Sequence, residues 1–314
     1  AEVIQAVRDY QTEKAADRHT SAGADYREDE AVGDGWRVML GDCIERLREV
    51  ADNSVGLSVF SPPFAALYTY SASQRDMGNV RDYEEFFQHF RLLLPDLLRA
   101  TMPGRRAVAH VAQVSTTAAT HGVIGWFDFR ADVVRAFVGA GWVYDGEVVI
   151  DKDPQAQAIR THAKALLFVQ KQRDAAWLRP AIADYVLLFR KPGENPSPVH
   201  SDVSNDEWIL WARPIWYGID ETDTLNAREA REERDERHIC PLQLGVIERC
   251  VRLWTNEGDL VLDPFAGIGS TGYVALRRGR RFAGIELKEA YWRCAVRNLG
   301  KATRQVDLFA PRMT

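Results

Sequence analysis

Two short segments of this 314-residue chain combine residue types that can do chemistry. The first is Phe265-Ala266-Gly267-Ile268-Gly269-Ser270, which follows an apolar run ending at Asp263. Glycines at alternate positions let the backbone turn tightly and approach a ligand closely at a helix N-terminus. Glu286 stands 17 residues after Gly269, at the end of the next apolar run, where an acid typically holds ribose hydroxyls. The same spacing also fits a plain packing turn of an α/β protein. The turn lacks the Gly-Lys-Ser/Thr of a phosphate loop, so a triphosphate is not the obvious ligand. The second segment is Ser61-Pro62-Pro63-Phe64, directly after the apolar run VGLSVF. Consecutive prolines cannot pair as a central strand and restrict the residues before them to extended geometry. They therefore hold Ser61 and the Pro62 carbonyl at the carboxyl edge of a sheet, the edge at which open α/β sheets bind ligands. Read alone, Ser-Pro-Pro is equally a strand terminator.

The surrounding pattern supplies elements to position these segments. WRVML (36–40), VGLSVF (55–60), RAVAHVAQV (106–114), WVYDGEVVI (142–150), YVLLFRK (185–191), DLVLDPF (259–265) and RFAGIEL (281–287) read as strands. Helices are expected over CIERLREVA, from a capping box at Asp82 and Glu85 to Ala100, over 129–139, and over GSTGYVALRRG and 288–299. A further helix places Leu242, Val246, Ile247, Cys250 and Trp254 on one face. Met102-Pro103-Gly104 is expected to separate the helix before it from the strand after it, and Gly33-Asp34-Gly35 to close a peripheral N-terminal segment. Strands alternating with helices predict a largely parallel, doubly wound sheet. The run REAREERDER (228–237) reads as a solvated helix or loop, or as a lid.

Composition removes several classes. Hydrophobic residues form 46% and charged residues 27% of the 35.5-kDa chain, which excludes disordered, collagen-like and coiled-coil readings. No apolar run reaches the roughly 18 residues of a membrane span, and no secretory signal is visible, so a cytoplasmic location without a membrane partner is expected. Cys43, Cys240, Cys250 and Cys294 lack metal-ligand spacing and read as reduced packing residues; no metal is expected. A net charge of −5 does not mark a protein that coats nucleic acid. Residues 151–191 nevertheless carry eight basic against four acidic side chains, and Trp208, Trp211, Trp216 and Tyr217 follow, suited either to nucleic-acid contact or to packing.

GDCIERLREVADNSVGLSVFSPPF resembles the catalytic block of the DNA amino-methyltransferases. HICPLQLGVIERCVRLWTNEGDLVLDPFAGIGSTGYVALRRGRRFAGIELKEAYW resembles their S-adenosylmethionine-binding block. Together the two blocks cover about a quarter of the chain. Ser61 precedes Asp263 by 202 residues, an order that resembles the permuted β group, in which a target-recognition region lies between the blocks. The resemblance implies a Rossmann-like class I methyltransferase fold, circularly permuted, with a mostly parallel seven-stranded sheet. The expected divisions are an N-terminal extension (1–35), a catalytic half (36–150), a target-recognition region (151–237) containing a core strand near 185–191, and a cofactor-binding half (238–314). It implies that Ser61, Pro62, Pro63 and Phe64 act on an exocyclic amine of a base flipped out of double-stranded DNA. It also implies that Asp263, Phe265, Gly267, Gly269, Ser270 and Glu286 hold S-adenosyl-L-methionine. Asp42 either approaches the adenine or caps the helix that starts at Cys43, and His238 is a loop or capping residue at the start of the second block. Within the family, Ser-Pro-Pro-aromatic goes mostly with cytosine N4 and Asp-Pro-Pro-Tyr with adenine N6; RNA or protein-amide methylation and an inactive binder are further readings. Members of the β group often pair, so a homodimer is a modest expectation.

Overall fold

The computed structural model describes residues 27–64, 76–77, 83–116, 118–161, 163–225 and 241–309. Four sequence expectations lie outside them: the segment 1–26, the Asp82 cap, the charged run 228–237, and His238 with Cys240.

A mixed sheet of nine strands forms the centre. The strands are β1 (Asp29–Gly33), β2 (Trp36–Leu40), β3 (Val55–Phe60), β4 (Thr101–Ala112), β7 (Val143–Ile150), β8 (Asp184–Arg190), β9 (Ile215–Trp216), β10 (Leu260–Asp263) and β11 (Arg281–Glu286). A separate two-stranded ribbon joins β5 (Val114–Ser115) to β6 (Trp126–Phe127). The order across the sheet is β1-β2-β11-β10-β3-β4-β8-β7-β9. From β2 to β4 all neighbours are parallel; β8 runs antiparallel to both β4 and β7. The seven expected strands are all present, and β1 and the two-residue β9 extend the sheet to nine.

Strand β1 corrects one expectation. Gly33-Asp34-Gly35 closes a hairpin rather than a linker, with Gly33 paired to Trp36 and Gly35 in the left-handed region at φ +74°. The sheet therefore begins at Asp29, inside the segment read as an extension. DEAVG lacks apolar alternation because it is an edge strand with a largely solvated surface.

Helices cover both faces. On one side lie α1 (Cys43–Arg46), α2 (Tyr83–Ala100) and α3 (Phe129–Gly139); farther along come α4 (Pro154–Thr161) and α5 (Asn205–Trp211). On the second face α6 (Leu244–Trp254) packs, followed by α7 (Ser270–Arg277) and α8 (Glu289–Phe309). Side-chain alternation assigns the faces. Leu57, Val59, Val108, Val186 and Leu188 meet Val246, Ile247, Cys250 and Val251 of α6. Phe60, Ala107, Ala109, Leu187 and Phe189 meet Phe86, Phe87, Phe90, Phe129 and Phe137 of α2 and α3. Every residue of β3 is buried, as a strand covered on both faces must be. Leu242, expected on the α6 face, precedes the helix and is buried beside it.

Met102-Pro103-Gly104 also departs from expectation, because β4 starts directly at Thr101. The segment is a bulge: β3 pairs Val55 with Thr101 and then Leu57 with Arg106. Gly104 supplies the left-handed residue at φ +70°, and a Cβ there would stand 2.7 Å from the Asn195 backbone nitrogen. Gly104→Ala is expected to destabilise the fold by about 2 kcal/mol or more, read as a lower urea midpoint at unchanged slope.

Candidate active site

Register brings the chemically competent residues to one edge. In the parallel block Leu40 pairs with Glu286 and Asp263 with Gly284, so Asp42, Glu286 and Asp263 leave neighbouring strands together. Strand β10 continues the row to β3, which ends at Ser61-Pro62-Pro63 because prolines have no N–H for the ladder. Connections from β10 run to one side of the sheet and those from β3 to the other, so these two strands flank the topological switch point.

A cleft of about 900 Å³ opens there. Asp42, Ser61, Pro62, Pro63, Phe64, Asp263, Phe265, Gly267, Ser270 and Glu286 all line it. Gly269 does not. It sits behind the turn at φ +86°, and a Cβ there would lie 3.2 Å from the Ala295 Cα, so its role is to let α8 pack closely. Asp42 caps α1, accepting the Ile44 N–H at 2.9 Å, while still bordering the cleft. The capping reading is thus observed directly.

The glycine-rich turn is organised by two carboxylates, the buried Asp263 and the half-buried Glu286. Glu286 accepts the Gly267 N–H through one oxygen and the Lys288 N–H through the other, each at 2.8 Å. Asp263 accepts the Phe265 N–H at 2.9 Å. Burial raises the pKa of both to about 7, against the downward pull of these hydrogen bonds. Phe265 leans on Phe60 with ring centroids 5.8 Å apart, and Phe64 meets Phe129 edge-on at 5.9 Å. Two polar atoms bordering the cleft, Ser270 Oγ and Gln243 Oε1, are buried with no hydrogen-bond partner among the described residues.

Beyond Ser61 the edge holds residues that sequence reasoning did not single out. His110, Asp184, Lys152, Gln157 and Glu221 border the same cleft. His110 appeared only as one polar residue within an apolar strand, and Lys152 and Asp184 only as members of a charge balance. Of these four aromatics, Trp216 is buried and donates to the Trp211 carbonyl, whereas Trp208 and Tyr217 are exposed. Among the described residues no cluster of His, Cys, Asp or Glu could hold a metal ion, and no helix is long and apolar enough to cross a membrane. Cys43, Cys250 and Cys294 are buried free thiols.

This edge is that of a class I methyltransferase. The sequence profile of the DNA methylase family, the N6 and N4 methyltransferases, matches residues 55–297, and the chain belongs to that family. Type II methyltransferase M.BglI of Bacillus subtilis is 30% identical over 159 residues, half of this chain and 39% of the relative. DNA adenine methyltransferase YhdJ of Escherichia coli is 40% identical over 68 residues, 22% of this chain and 23% of that protein. The chain therefore spans less than half the length of these curated relatives. Among solved structures, TTHA0409 of Thermus thermophilus, assigned as a DNA modification methylase and solved with S-adenosyl-L-methionine, is 26% identical with a TM-score of 0.64. That match covers 84% of this chain and 93% of the other.

The buried Asp263 yields a stability test. A carboxyl whose folded pKa rises from 3.8 to about 7 adds stability below pH 3.8 that is lost as pH climbs through about 7. Asp263→Asn keeps the acceptor for the Phe265 N–H and removes the buried charge. It is expected to raise the unfolding temperature of the ligand-free protein by about 2–6 °C at pH 8. The gain over wild type should shrink steadily as calorimetry is repeated toward pH 4.

Proposed function

We propose that the chain is a DNA methyltransferase that transfers the methyl group of S-adenosyl-L-methionine to the exocyclic N4 amine of a cytosine flipped out of double-stranded DNA. The carrying observation is that Ser61-Pro62-Pro63-Phe64 and the Phe265–Ser270 turn, ending adjacent strands, line one cleft. Its volume suits a nucleoside-sized methyl donor beside a base. In this reading the second block follows the first because the fold is circularly permuted. Residues 151–237 recognise the target around the core strand β8.

The residues present fit the donor. Glu286, its oxygens already fixed by two backbone N–H groups, takes the ribose hydroxyls. Phe265 offers an aromatic face to the sulfonium, and the unpartnered Ser270 Oγ and Gln243 Oε1 supply polar contacts. The bound donor provides an electrophilic methyl group. The protein's task is then to shape the acceptor nitrogen, whose lone pair is delocalised into the ring. Ser61 Oγ and the Pro62 carbonyl accept the two amine hydrogens, draw the nitrogen toward tetrahedral geometry and aim its lone pair. Phe64 stacks on the base, which helps to offset the few kcal/mol of flipping. The rim supports duplex binding: Gln157, Thr161 and Ile182 border the cleft, and exposed Lys164, Lys171 and Arg173 continue outward, with Arg179 over the Trp126 ring at 4.9 Å.

Ser61 at the first catalytic position supports cytosine N4. Adenine N6 is the second reading, supported by the likeness to YhdJ. Incubation with unmodified duplex DNA and S-adenosylmethionine, followed by mass spectrometry of the nucleosides, is expected to yield N4-methylcytosine. N6-methyladenine would reverse the base assignment, and no methylated nucleoside would sink the proposal. Ser61→Ala should lower turnover by about 100-fold or more while leaving donor affinity within about twofold in a calorimetric titration.

The carboxylate at 286 also sets a pH dependence. Ribose hydroxyls donate to the ionised form, so donor affinity should weaken as pH falls below about 7. Equilibrium dialysis from pH 8.5 to 5.5 should show this decline in wild type and a flatter profile in Glu286→Gln.

A further inference from the structure

The edge that carries Ser61 also gathers a set of buried side chains to which methyl transfer, as described, assigns no task. Phe60 pairs with Ala109, so Ser61, just past the end of β3, comes beside His110, which is still within β4. Asp184 pairs with both Ala112 and Ile150, which brings the start of β8 and Lys152 to the same place. Ser61 Oγ lies 3.2 Å from the His110 carbonyl oxygen and 3.3 Å from its Nδ1. His110 Nε2 is 3.2 Å from Asp184 Oδ2, close enough for charge attraction though not aligned as a full hydrogen bond. Lys152 Nζ reaches the same Asp184 oxygen at 2.7 Å and lies 3.6 Å from Glu221. His110 and Lys152 are both buried. Burial alone would raise the Asp184 pKa, yet His110 and Lys152 draw it down to about 2, so it stays ionised.

A hydroxyl has one proton and two lone pairs. If Ser61 accepts a hydrogen from the target amine, its own proton must point to another acceptor, and the carbonyl and Nδ1 of His110 are the acceptors it contacts. A carboxylate beside Nε2 favours the tautomer that carries its proton there, leaving Nδ1 as an acceptor. Building on the methyl-transfer reading, we propose that His110 is a positioning residue acting through Ser61: it turns the hydroxyl into an acceptor and takes up the proton that alkylation releases. The step balances. The amine lone pair forms the new N–C bond as the sulfur–methyl bond breaks, and that bonding pair stays on sulfur as a neutral thioether. The cationic nitrogen passes one hydrogen to Ser61 Oγ while the Ser61 proton moves to Nδ1, leaving an imidazolium opposite Asp184. Lys152 offsets part of the Asp184 charge. Among the described residues, Ser61, Asp184 and, behind it, Lys152 and Glu221 are the titratable or polar groups gathered around the ring.

The test is single-turnover methylation, across pH, of a duplex that the wild type modifies. His110→Gln preserves the backbone acceptor and most of the volume. With the donor saturating at every pH, it is expected to slow the step about 100-fold at pH 8, with donor affinity and unfolding temperature little changed, and to abolish the loss of rate at acidic pH. Asp184→Asn should move that acidic limb to lower pH and Lys152→Met to higher pH. The His110 ring resonance, followed by NMR in the protein without DNA, should shift in the same two directions. A His110→Gln rate within about threefold of wild type overturns the inference, as does a slow variant that keeps the wild-type pH profile, the mark of a merely structural role. A wild type that methylates nothing removes the methyl-transfer reading itself, and with it this inference; an active wild type with an unaffected variant removes only the inference.

Discussion

The parallel pairing of β3 with β10 is the constraint on which the cleft depends. Only two register pairs define it, Leu57 with Val261 and Ser58 with Leu262, yet they join segments about two hundred residues apart. Closing so long a loop adds only logarithmically to the entropic cost, and the dry layers on both faces hold the join. Phe60 is locked among the phenylalanines of α2 and α3, while Leu57 and Val59 sit beneath α6. A shift of this register would separate the Ser-Pro-Pro corner from the glycine-rich turn, and neither would face a shared space.

The parts of this arrangement that could be read in advance are those with strong local signals. Buried strands such as VGLSVF are too short and too apolar to be much else, and proline pairs and alternating glycines announce where they stop. Strand β1 was hidden because a solvated edge carries no alternation. The bulge at Met102-Pro103-Gly104 was hidden because its turn-forming residues are spent inside a strand, where Lys191 donates to the Arg105 carbonyl and Gly104 to the Lys191 carbonyl. Ser61 was visible through its neighbours in sequence. His110, Asp184 and Lys152 were not, because their association is a matter of register between β4, β8 and β7, and nothing local in any of the three segments encodes it.

The cleft divides electrically into two halves. Around the glycine-rich turn, Asp263 and Glu286 accept backbone N–H groups, yet burial outweighs these bonds and draws both carboxyls toward the neutral form. Around Ser61, Asp184 is half-buried but faces His110 and Lys152, and it remains ionised. The first half favours a ligand that brings hydroxyls and a positive charge. The second half can receive a proton without losing its balance of charge.

The β1–β2 hairpin has a consequence for how copies of the chain can meet. Strand β2 would otherwise present an open row of N–H and C=O groups, a template for another strand. Strand β1 occupies that row, and Glu30 and Arg37 form an ion pair across the hairpin, with Arg37 also reaching Glu49. Charged residues on a short outermost strand oppose further strand addition. Growth of the sheet from one molecule into the next is thereby disfavoured on this side, and self-association there is better built from side chains than from shared backbone ladders.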